Sequence, residues 1–309
     1  MSDITAVPLY RHPNMAFLDK LMNLLFWFIS PLGRIPKDET VTALVRGRKR
    51  LDGMCIQGFE AAFTVKKGWK QTALKVPRGD GTNLEIVLVM RIEKRETMLD
   101  PIILYFHGGA YTIGSHRDTA IAAAPYGCAA GTCTKHGARA VYACVNYRLA
   151  PEHRAPAAAD DCERAFTFIQ SNAELAQTHG YDRTRIHIWG SSAGAGHALV
   201  LGSALCRRGE KHKIASVHLD CPMVHPPCDL PSFTRNGKAS WLAPAAWIRW
   251  AWTVYLGVST PEELAAALKD PRVCPHTAHG GLDGMDGLPV MLAVCLAVWE
   301  RHRRKHPYP

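Results

Sequence analysis

The sequence has no Cys-x-x-Cys pair and no cysteines and histidines at the spacing of a zinc site, so the pattern of a structural metal site is missing. Its ten cysteines do not indicate a disulfide framework either, because Cys144, Cys206 and Cys221 lie inside apolar segments, where cysteine behaves as a small hydrophobic residue. We therefore predict no metal and no cofactor, and we expect a reducing, cytoplasmic location.

The sequence also lacks a hydrophobic run long enough to cross a bilayer, which takes about 20 residues. The apolar stretch at 21–29 is interrupted by Asn23 and closed by Pro31. It begins too late for a typical secretory signal peptide, and no clear small-residue cleavage site follows it. Two interpretations stay open: a lid helix over an active site, or a membrane-surface or targeting role, with membrane contact through residues 18–32.

No nucleic-acid-reading motif, internal repeat or low-complexity tract is present. The formal net charge of +10 comes mainly from two short basic segments, at 46–50 and 300–305. A nucleic-acid-binding surface would show a basic stripe together with a reading motif. We therefore predict no nucleic-acid partner and interpret both segments as solvated basic patches.

What the sequence does contain is a regular alternation of short apolar runs and helical patterns. This alternation is typical of an α/β protein with a mostly parallel sheet and flanking helices, and a chain of 309 residues is long enough to bury one large core. The pattern predicts strands at 69–76, 84–92, 102–106, 139–146, 185–189, 215–219 and 288–294, and helices at 157–177 and 193–207.

The alternation breaks between Pro222 and Leu256. Prolines cluster first, and five aromatic residues then follow at helix-like spacing: Trp241, Trp247, Trp250, Trp252 and Tyr255. We call residues 241–255 the aromatic segment. A buried core helix and a substrate-facing cap explain this pattern equally well.

The sequence Gly190-Ser191-Ser192-Ala193-Gly194 follows an apolar strand pattern and opens a helical one. This G-x-S-x-G arrangement predicts a tight strand-to-helix turn that exposes the Ser192 hydroxyl as a nucleophile. It also places Ser192 at a helix N-terminus, where amide dipoles favour a developing negative charge. Ser191 is a weaker candidate because it is off the centre of the motif.

A second glycine motif, His107-Gly108-Gly109, follows the predicted strand at 102–106. It predicts that the N–H groups of Gly108 and Gly109, completed by that of Ala193, form an oxyanion hole. We expect His107 to orient this loop through hydrogen bonds rather than to act as a base. The alternative is an ordinary Gly-Gly turn.

Three segments in order, 107–115, 147–161 and 190–194, resemble the hormone-sensitive-lipase-like branch of the α/β-hydrolases. The resemblance implies an α/β-hydrolase fold with a helical cap and hydrolysis of small-molecule carboxylic esters through an acyl-enzyme on Ser192. It divides the chain into an N-terminal cap or lid region, 1–60, and an α/β-hydrolase domain, 61–309, with a cap insertion around 223–260.

The same resemblance gives the middle segment a structural role. It implies that Arg148, Glu152 and Asp160 bind one another beneath the site. Asp160 and Asp161 are therefore not candidates for the triad acid.

The sequence departs from the family pattern at its C-terminal end, which reads as truncated. The family places the triad aspartate in a turn after the 288–294 strand and a histidine further on, and residues 295–309 match neither. Asp220 is a possible substitute acid at the end of a predicted strand. The loop histidines are expected to be exposed rather than catalytic: His225, His276, His279, His302 and His306.

Two functions follow from this pattern. The first is a serine carboxylesterase, whose turnover in this 309-residue form we expect to be weak or absent without an identified acid and base. The second is a catalytically inactive, receptor-like protein that uses the same fold to bind a ligand.

Overall fold

A single sheet of seven strands organises the part of the chain that the structure describes. The structure is a computed structural model and describes residues 68–93, 98–116, 140–231, 233, 245–275 and 280–293. The strands are β1 Trp69–Pro77, β2 Asn83–Arg91, β3 Asp100–Phe106, β4 Val141–Val145, β5 Tyr181–Ser191, β6 Ser216–Asp220 and β7 Val290–Ala293. Their order across the sheet is β1-β2-β4-β3-β5-β6-β7.

Pairing in this sheet is mostly parallel, as predicted. β1 and β2 form an antiparallel hairpin, and β2 pairs antiparallel with β4. The remaining neighbours, from β4 through β3, β5 and β6 to β7, are parallel. The loops that follow β3, β4, β5 and β6 therefore emerge at the same edge of the sheet, where ligands of open α/β sheets bind.

Helices connect and cover the strands. Within the described residues they are α1 Ala157–Ser171, α2 Ala173–His179, α3 Ala193–Arg207, α4 Ala245–Leu256 and α5 Pro261–Ala267, with a 3₁₀ turn at Lys211–Lys213. Side chains alternate along β3, so that Ile102, Leu104 and Phe106 are fully buried on one face. Ala195 and Ala198 of α3 belong to the same apolar cluster, which places α3 against that face.

The helix predicted over 157–177 is two helices, because Asn172 interrupts it. Asn172 has an extended backbone conformation, with ψ 94°, and its side-chain oxygen accepts a hydrogen bond from Leu175 N–H at 2.9 Å. This is the geometry of an N-cap, which starts α2 anew. α2 ends at Gly180, whose φ of 74° turns the chain into β5.

The fully buried carboxylate of Asp161 connects three segments of the chain. Its two oxygens accept hydrogen bonds from Arg78 Nε at 2.9 Å and from Arg148 Nε at 3.0 Å, and Arg148 N–H donates to it at 2.9 Å. Arg78 lies in the β1–β2 turn, Arg148 follows β4, and Asp161 belongs to α1. The prediction that Asp160 binds Arg148 is therefore wrong: Asp161 occupies the buried face of α1, whereas the side chain of Asp160 is half exposed.

We predict that Asp161→Asn lowers the free energy of unfolding by about 3 kcal/mol, because it leaves two partly buried guanidinium groups without their counter-charge. Urea unfolding monitored by circular dichroism measures this change. Asp160→Asn is the matched control, and as a half-exposed surface position it should change stability by less than about 0.5 kcal/mol. Equal unfolding midpoints for the two variants would contradict the role given to Asp161.

Candidate active site

Ser192 lies at a sharp turn between β5 and α3. Its φ is 53° and its ψ is −115°, a backbone conformation that non-glycine residues rarely adopt and that costs about 1–3 kcal/mol. Two hydrogen bonds hold it there: Ser192 N–H donates to Asp220 O at 2.8 Å, and Ser192 O accepts from Met223 N–H at 3.0 Å. β6 and the residues after it therefore stabilise the strained turn.

Two glycines allow the close packing around this turn. A Cβ atom on Gly190 would lie 2.1 Å from Gly194 O, and one on Gly194 would lie 2.1 Å from Phe106 O. Real Cβ atoms do not approach backbone atoms so closely, so a side chain at either position would force the backbone to shift. Gly194 is therefore required by the approach of α3 to the end of β3, and Gly190 by the approach of β5 to the first turn of α3.

The loop after β3 lies beside Ser192. A Cβ atom on Gly108 would be 3.4 Å from Ser192 Cβ and 3.2 Å from Ser191 O, which shows how closely the two segments approach. The loop then reverses through Gly109, Ala110 and Tyr111, all of which have positive φ.

The N–H groups predicted for the oxyanion hole belong to Gly108 and Gly109 in this loop and to Ala193, the residue after Ser192. Within the described residues, no backbone carbonyl accepts a hydrogen bond from Gly108 N–H or Gly109 N–H. Ala193 is the first residue of α3, and N–H groups in the first turn of a helix have no partner inside that helix. The arrangement next to Ser192 therefore offers donors to an anionic atom.

His107 opens the loop and is buried. Burial lowers the pKa of His107 to about 4, so its imidazole is neutral near pH 7. Its Nδ1 lies 2.7 Å from Gly108 O, and because a carbonyl oxygen only accepts, Nδ1 carries the proton. So low a pKa makes His107 a weak base, and its Nδ1 proton is used within the loop, in agreement with the orienting role expected from the sequence.

Aromatic side chains pack under the loop. Tyr111 stacks on Tyr255 of α4 with ring centroids 4.1 Å apart, and its hydroxyl donates to Met223 O at 2.7 Å. A Cβ atom on Gly196 would lie 2.2 Å from that hydroxyl oxygen, so Gly196 provides the space for it. His197 contacts the Tyr111 ring edge-on at 5.0 Å, and burial lowers the pKa of His197 to about 3.

Helix α4 carries most of the aromatic segment and packs on the same loop. Trp247 and Ala251 form a small apolar cluster with Ala110, and Trp252 lies 4.8 Å from the Tyr111 ring. Trp247 and Trp252 are buried, so these side chains form part of the core that supports the loop. Trp241 lies outside the described residues.

The substitute acid considered from the sequence, Asp220, is committed elsewhere. Its Oδ2 accepts a hydrogen bond from the Ser191 hydroxyl at 3.1 Å. His225 is half-buried, and its Nε2 lies 2.6 Å from Asp229 Oδ1, a hydrogen bond that lowers the pKa of Asp229. The other loop histidines, at 276, 279, 302 and 306, lie outside the described residues.

Other predicted features fall partly or wholly outside the described residues. The N-terminal cap, 1–60, and the membrane-contact segment, 18–32, are among them. In the part of the chain that the structure describes, no helix has both the length and the apolar character needed to cross a membrane. No three histidine, cysteine or acidic side chains of that part are grouped to hold a metal ion.

Comparison with known proteins decides the family. Residues 103–303, which include both glycine motifs, match the family model described as alpha/beta hydrolase fold. The chain belongs to the α/β-hydrolase fold family. This membership confirms the fold class expected from the sequence, and the relatives agree with the hormone-sensitive-lipase-like resemblance.

Two curated relatives come from Mycobacterium tuberculosis. Carboxylesterase NlhH is 30% identical over 209 residues, which is 60% of this chain and 60% of that protein. Esterase LipI is 36% identical over 155 residues, covering 48% of this chain and 44% of LipI. The chain therefore spans 60% or less of the length of these relatives.

Solved structures show the same fold. An esterase from the bacterial hormone-sensitive lipase family superposes with a TM-score of 0.63 at 21% identity, covering 96% of this chain and 83% of that one. The ester hydrolase EH1AB1 from the metagenome of Lake Arreo superposes with a TM-score of 0.67 at 22% identity, covering 92% and 89% of the two chains.

We predict that Gly194→Ala lowers the free energy of unfolding by about 3 kcal/mol or more, because the new methyl group must displace the β3 backbone. Gly202→Ala in the same helix is the matched control. There a Cβ atom would meet one methyl group of Val217, at 2.9 Å, instead of backbone, and the higher helix propensity of alanine, worth about 1 kcal/mol, partly offsets the repacking, so the loss should be smaller. Chemical denaturation of both variants checks the difference, and similar losses would contradict this account of the turn.

Acidification should destabilise the fold through its buried histidines. The pKa values of His107 and His197 are about 4 and about 3 in the folded chain, against an ordinary value of 6.5. Between about pH 6.5 and pH 4 the unfolded chain therefore binds protons that the folded chain does not. Stability is then lost as pH falls, by about 1.4 kcal/mol per pH unit for each histidine.

Urea unfolding of the wild type and of His197→Gln between about pH 7 and pH 4.5 tests this prediction. Removing one of the two groups should make the pH dependence shallower by about 1.4 kcal/mol per unit. His212→Gln, at an exposed position in the 3₁₀ turn, is the control and should keep the wild-type slope. Equal slopes in wild type and His197→Gln would show that His197 titrates normally.

Proposed function

We propose that this chain is a carboxylic ester hydrolase that forms an acyl-enzyme on Ser192. The observation that carries the proposal is the strained turn that holds Ser192 directly against Gly108, at the start of α3. Relatives named carboxylesterase and esterase support it over the part of the chain that they match.

In the proposed reaction the Ser192 hydroxyl oxygen attacks the ester carbonyl carbon, and the carbonyl π electrons move onto its oxygen. The N–H groups of Gly108, Gly109 and Ala193 donate hydrogen bonds to this oxyanion. The oxyanion then collapses: the C–O bond to the alcohol breaks, the proton lost from the Ser192 hydroxyl ends on the departing alcohol oxygen, and the acyl group stays on Ser192. Water later attacks this acyl group, which releases the acid and restores the Ser192 hydroxyl. Removing one donor from such a hole lowers kcat by a factor of about 10²–10³.

General-base activation of Ser192 is not assigned. Among the described residues no side chain hydrogen-bonds the Ser192 hydroxyl. A serine hydroxyl without a base is a weak nucleophile, so with the described residues alone turnover should rest on the oxyanion hole and on substrate binding. We therefore expect slow hydrolysis, best seen with activated esters that have good leaving groups.

A cap completes the proposal. Residues 1–60 and the insertion around 223–260 would cover Ser192 and shape the pocket for a small-molecule ester; the packing of α4 on Ala110 supports the second half of this assignment. Contact of residues 18–32 with a membrane surface is the competing role for the N-terminal region.

The cytoplasmic location stays a prediction from cysteine usage. The receptor-like alternative has no support from the relatives, which are named for ester hydrolysis.

We predict that Ser192→Ala abolishes release of p-nitrophenolate from p-nitrophenyl acetate and butyrate, because the nucleophile is gone. Mass spectrometry after treatment with a fluorophosphonate should find the label on Ser192 in the wild type. Ser191→Ala is the matched control, since the Ser191 hydroxyl binds Asp220 instead, and it should keep both turnover and labelling. Hydrolysis that survives Ser192→Ala would move the chemistry to another residue.

A further inference from the structure

Tyr147 contacts the loop after β3 from a neighbouring strand. Its hydroxyl donates a hydrogen bond to His107 O at 2.6 Å, and its ring stacks on the His107 imidazole with centroids 4.2 Å apart and planes 10° apart. Both side chains are buried. Tyr147 follows β4, which is parallel to β3, so the two residues meet at the same edge of the sheet although 40 positions separate them.

The His107 carbonyl and the Gly108 N–H belong to one peptide plane. In a trans peptide the carbonyl of one residue and the N–H of the next point in opposite directions. Binding of the His107 carbonyl by Tyr147 therefore fixes the direction of Gly108 N–H. In the same way, donation from His107 Nδ1 to Gly108 O at 2.7 Å fixes the direction of Gly109 N–H.

The next carbonyl in the loop is anchored as well. Gly109 O accepts hydrogen bonds from Thr112 N–H and Ile113 N–H, both at 3.0 Å. Glycine offers no side chain to restrain its peptide planes and is the most permissive residue in backbone conformation. Of the three carbonyls, those of His107, Gly108 and Gly109, the first is bound by a side chain from a distant segment, while the other two are bound within 107–113.

We propose that Tyr147 is a positioning residue that aims the Gly108 N–H at the oxyanion, acting through the His107 carbonyl. The inference rests on the proposed function, since an aimed donor matters only if an oxyanion forms on Ser192. The Tyr147 hydroxyl hydrogen-bonds His107 and not Ser192, so Tyr147 acts on the oxyanion through the loop. Its effect should therefore appear in the rate of the chemical step and not in substrate affinity.

A purely structural role is the competing explanation, because Tyr147 also belongs to the main apolar cluster. Tyr181 separates the two explanations. It is equally buried, and its hydroxyl donates to a main-chain carbonyl, Ile169 O, at 3.1 Å, but it lies at the start of β5, at the opposite end of the sheet. Tyr147→Phe and Tyr181→Phe thus remove similar hydrogen bonds. The bond from Tyr147 is made to the loop after β3, and the bond from Tyr181 is not.

The experiment compares hydrolysis of p-nitrophenyl acetate by the full 309-residue chain, Tyr147→Phe and Tyr181→Phe. Tyr147→Phe should lower kcat about tenfold, less than the 10²–10³ of a deleted donor because the N–H remains but is misdirected. Its KM should stay within about twofold. Tyr181→Phe should keep the wild-type kcat while losing comparable stability in urea. A trifluoromethyl ketone, which forms an oxyanion on the serine, should bind Tyr147→Phe weaker by the same factor as the loss in kcat.

The outcomes separate the positioning role of Tyr147 from the proposed function of Ser192. If Tyr147→Phe turns over like Tyr181→Phe, or changes KM alone, the positioning role is overturned while the proposed function stands. If the wild type is no faster than Ser192→Ala, the proposed function fails and this inference fails with it. Should Tyr147→Phe not fold, His107→Phe is measured instead. This variant keeps a stacked ring but removes the donor to Gly108 O. The peptide that carries Gly109 N–H then loses its fixed direction, and the same loss of kcat is expected.

Discussion

The close approach of the first turn of α3 to the end of β3 is the constraint on which the candidate site depends. Gly194 lies where any side chain would collide with Phe106 O, at 2.1 Å, and with His107 O, at 2.5 Å. Because of this contact, the strained Ser192, the first N–H of α3 and the loop from His107 to Tyr111 occupy one small volume. The turn can remain strained because β6 and Met223 bind it on both sides.

Oriented main-chain dipoles rather than charges dominate this volume. His107 and His197 are held neutral by burial, the Asp220 carboxylate binds the Ser191 hydroxyl, and the Asp161 carboxylate binds two arginines. Fixed dipoles need little reorganisation when negative charge develops on a bound group. The chemistry proposed for Ser192 requires that property, and the network that begins at Tyr147 shows how the protein restrains two flexible glycines to obtain it.

The sequence predicted the features that depend on local patterns. Apolar runs located all seven strands, and the two glycine motifs located the turn at Ser192 and the loop beside it. The break at Asn172 was missed because apolar spacing continues across it and the cap depends on one side-chain hydrogen bond. The sequence did not distinguish Asp160 from Asp161. Successive side chains of a helix point about 100° apart, and only the three-dimensional position of Arg148 decides which carboxylate is buried.

Contacts between distant segments were beyond the reach of the sequence pattern. Tyr147 reaches His107 across 40 positions, and Tyr111 reaches Met223 across 112. Neither contact has a signal in spacing, since each depends on which strands become neighbours in the sheet. The parallel pairing of β3 with β4 does place Tyr147 and His107 at one edge, so the topology would have indicated the first contact.

The packing of α4 on the loop has a consequence for how such a protein can diverge. Trp247 and Ala251 contact Ala110, and Tyr255 stacks on Tyr111, so α4 supports the same few residues that follow the two glycines. A change of volume on this helix shifts the loop and with it the direction of its N–H groups. Substitutions on the helix and in the loop must then be accepted together, because either one alone disturbs the geometry beside Ser192.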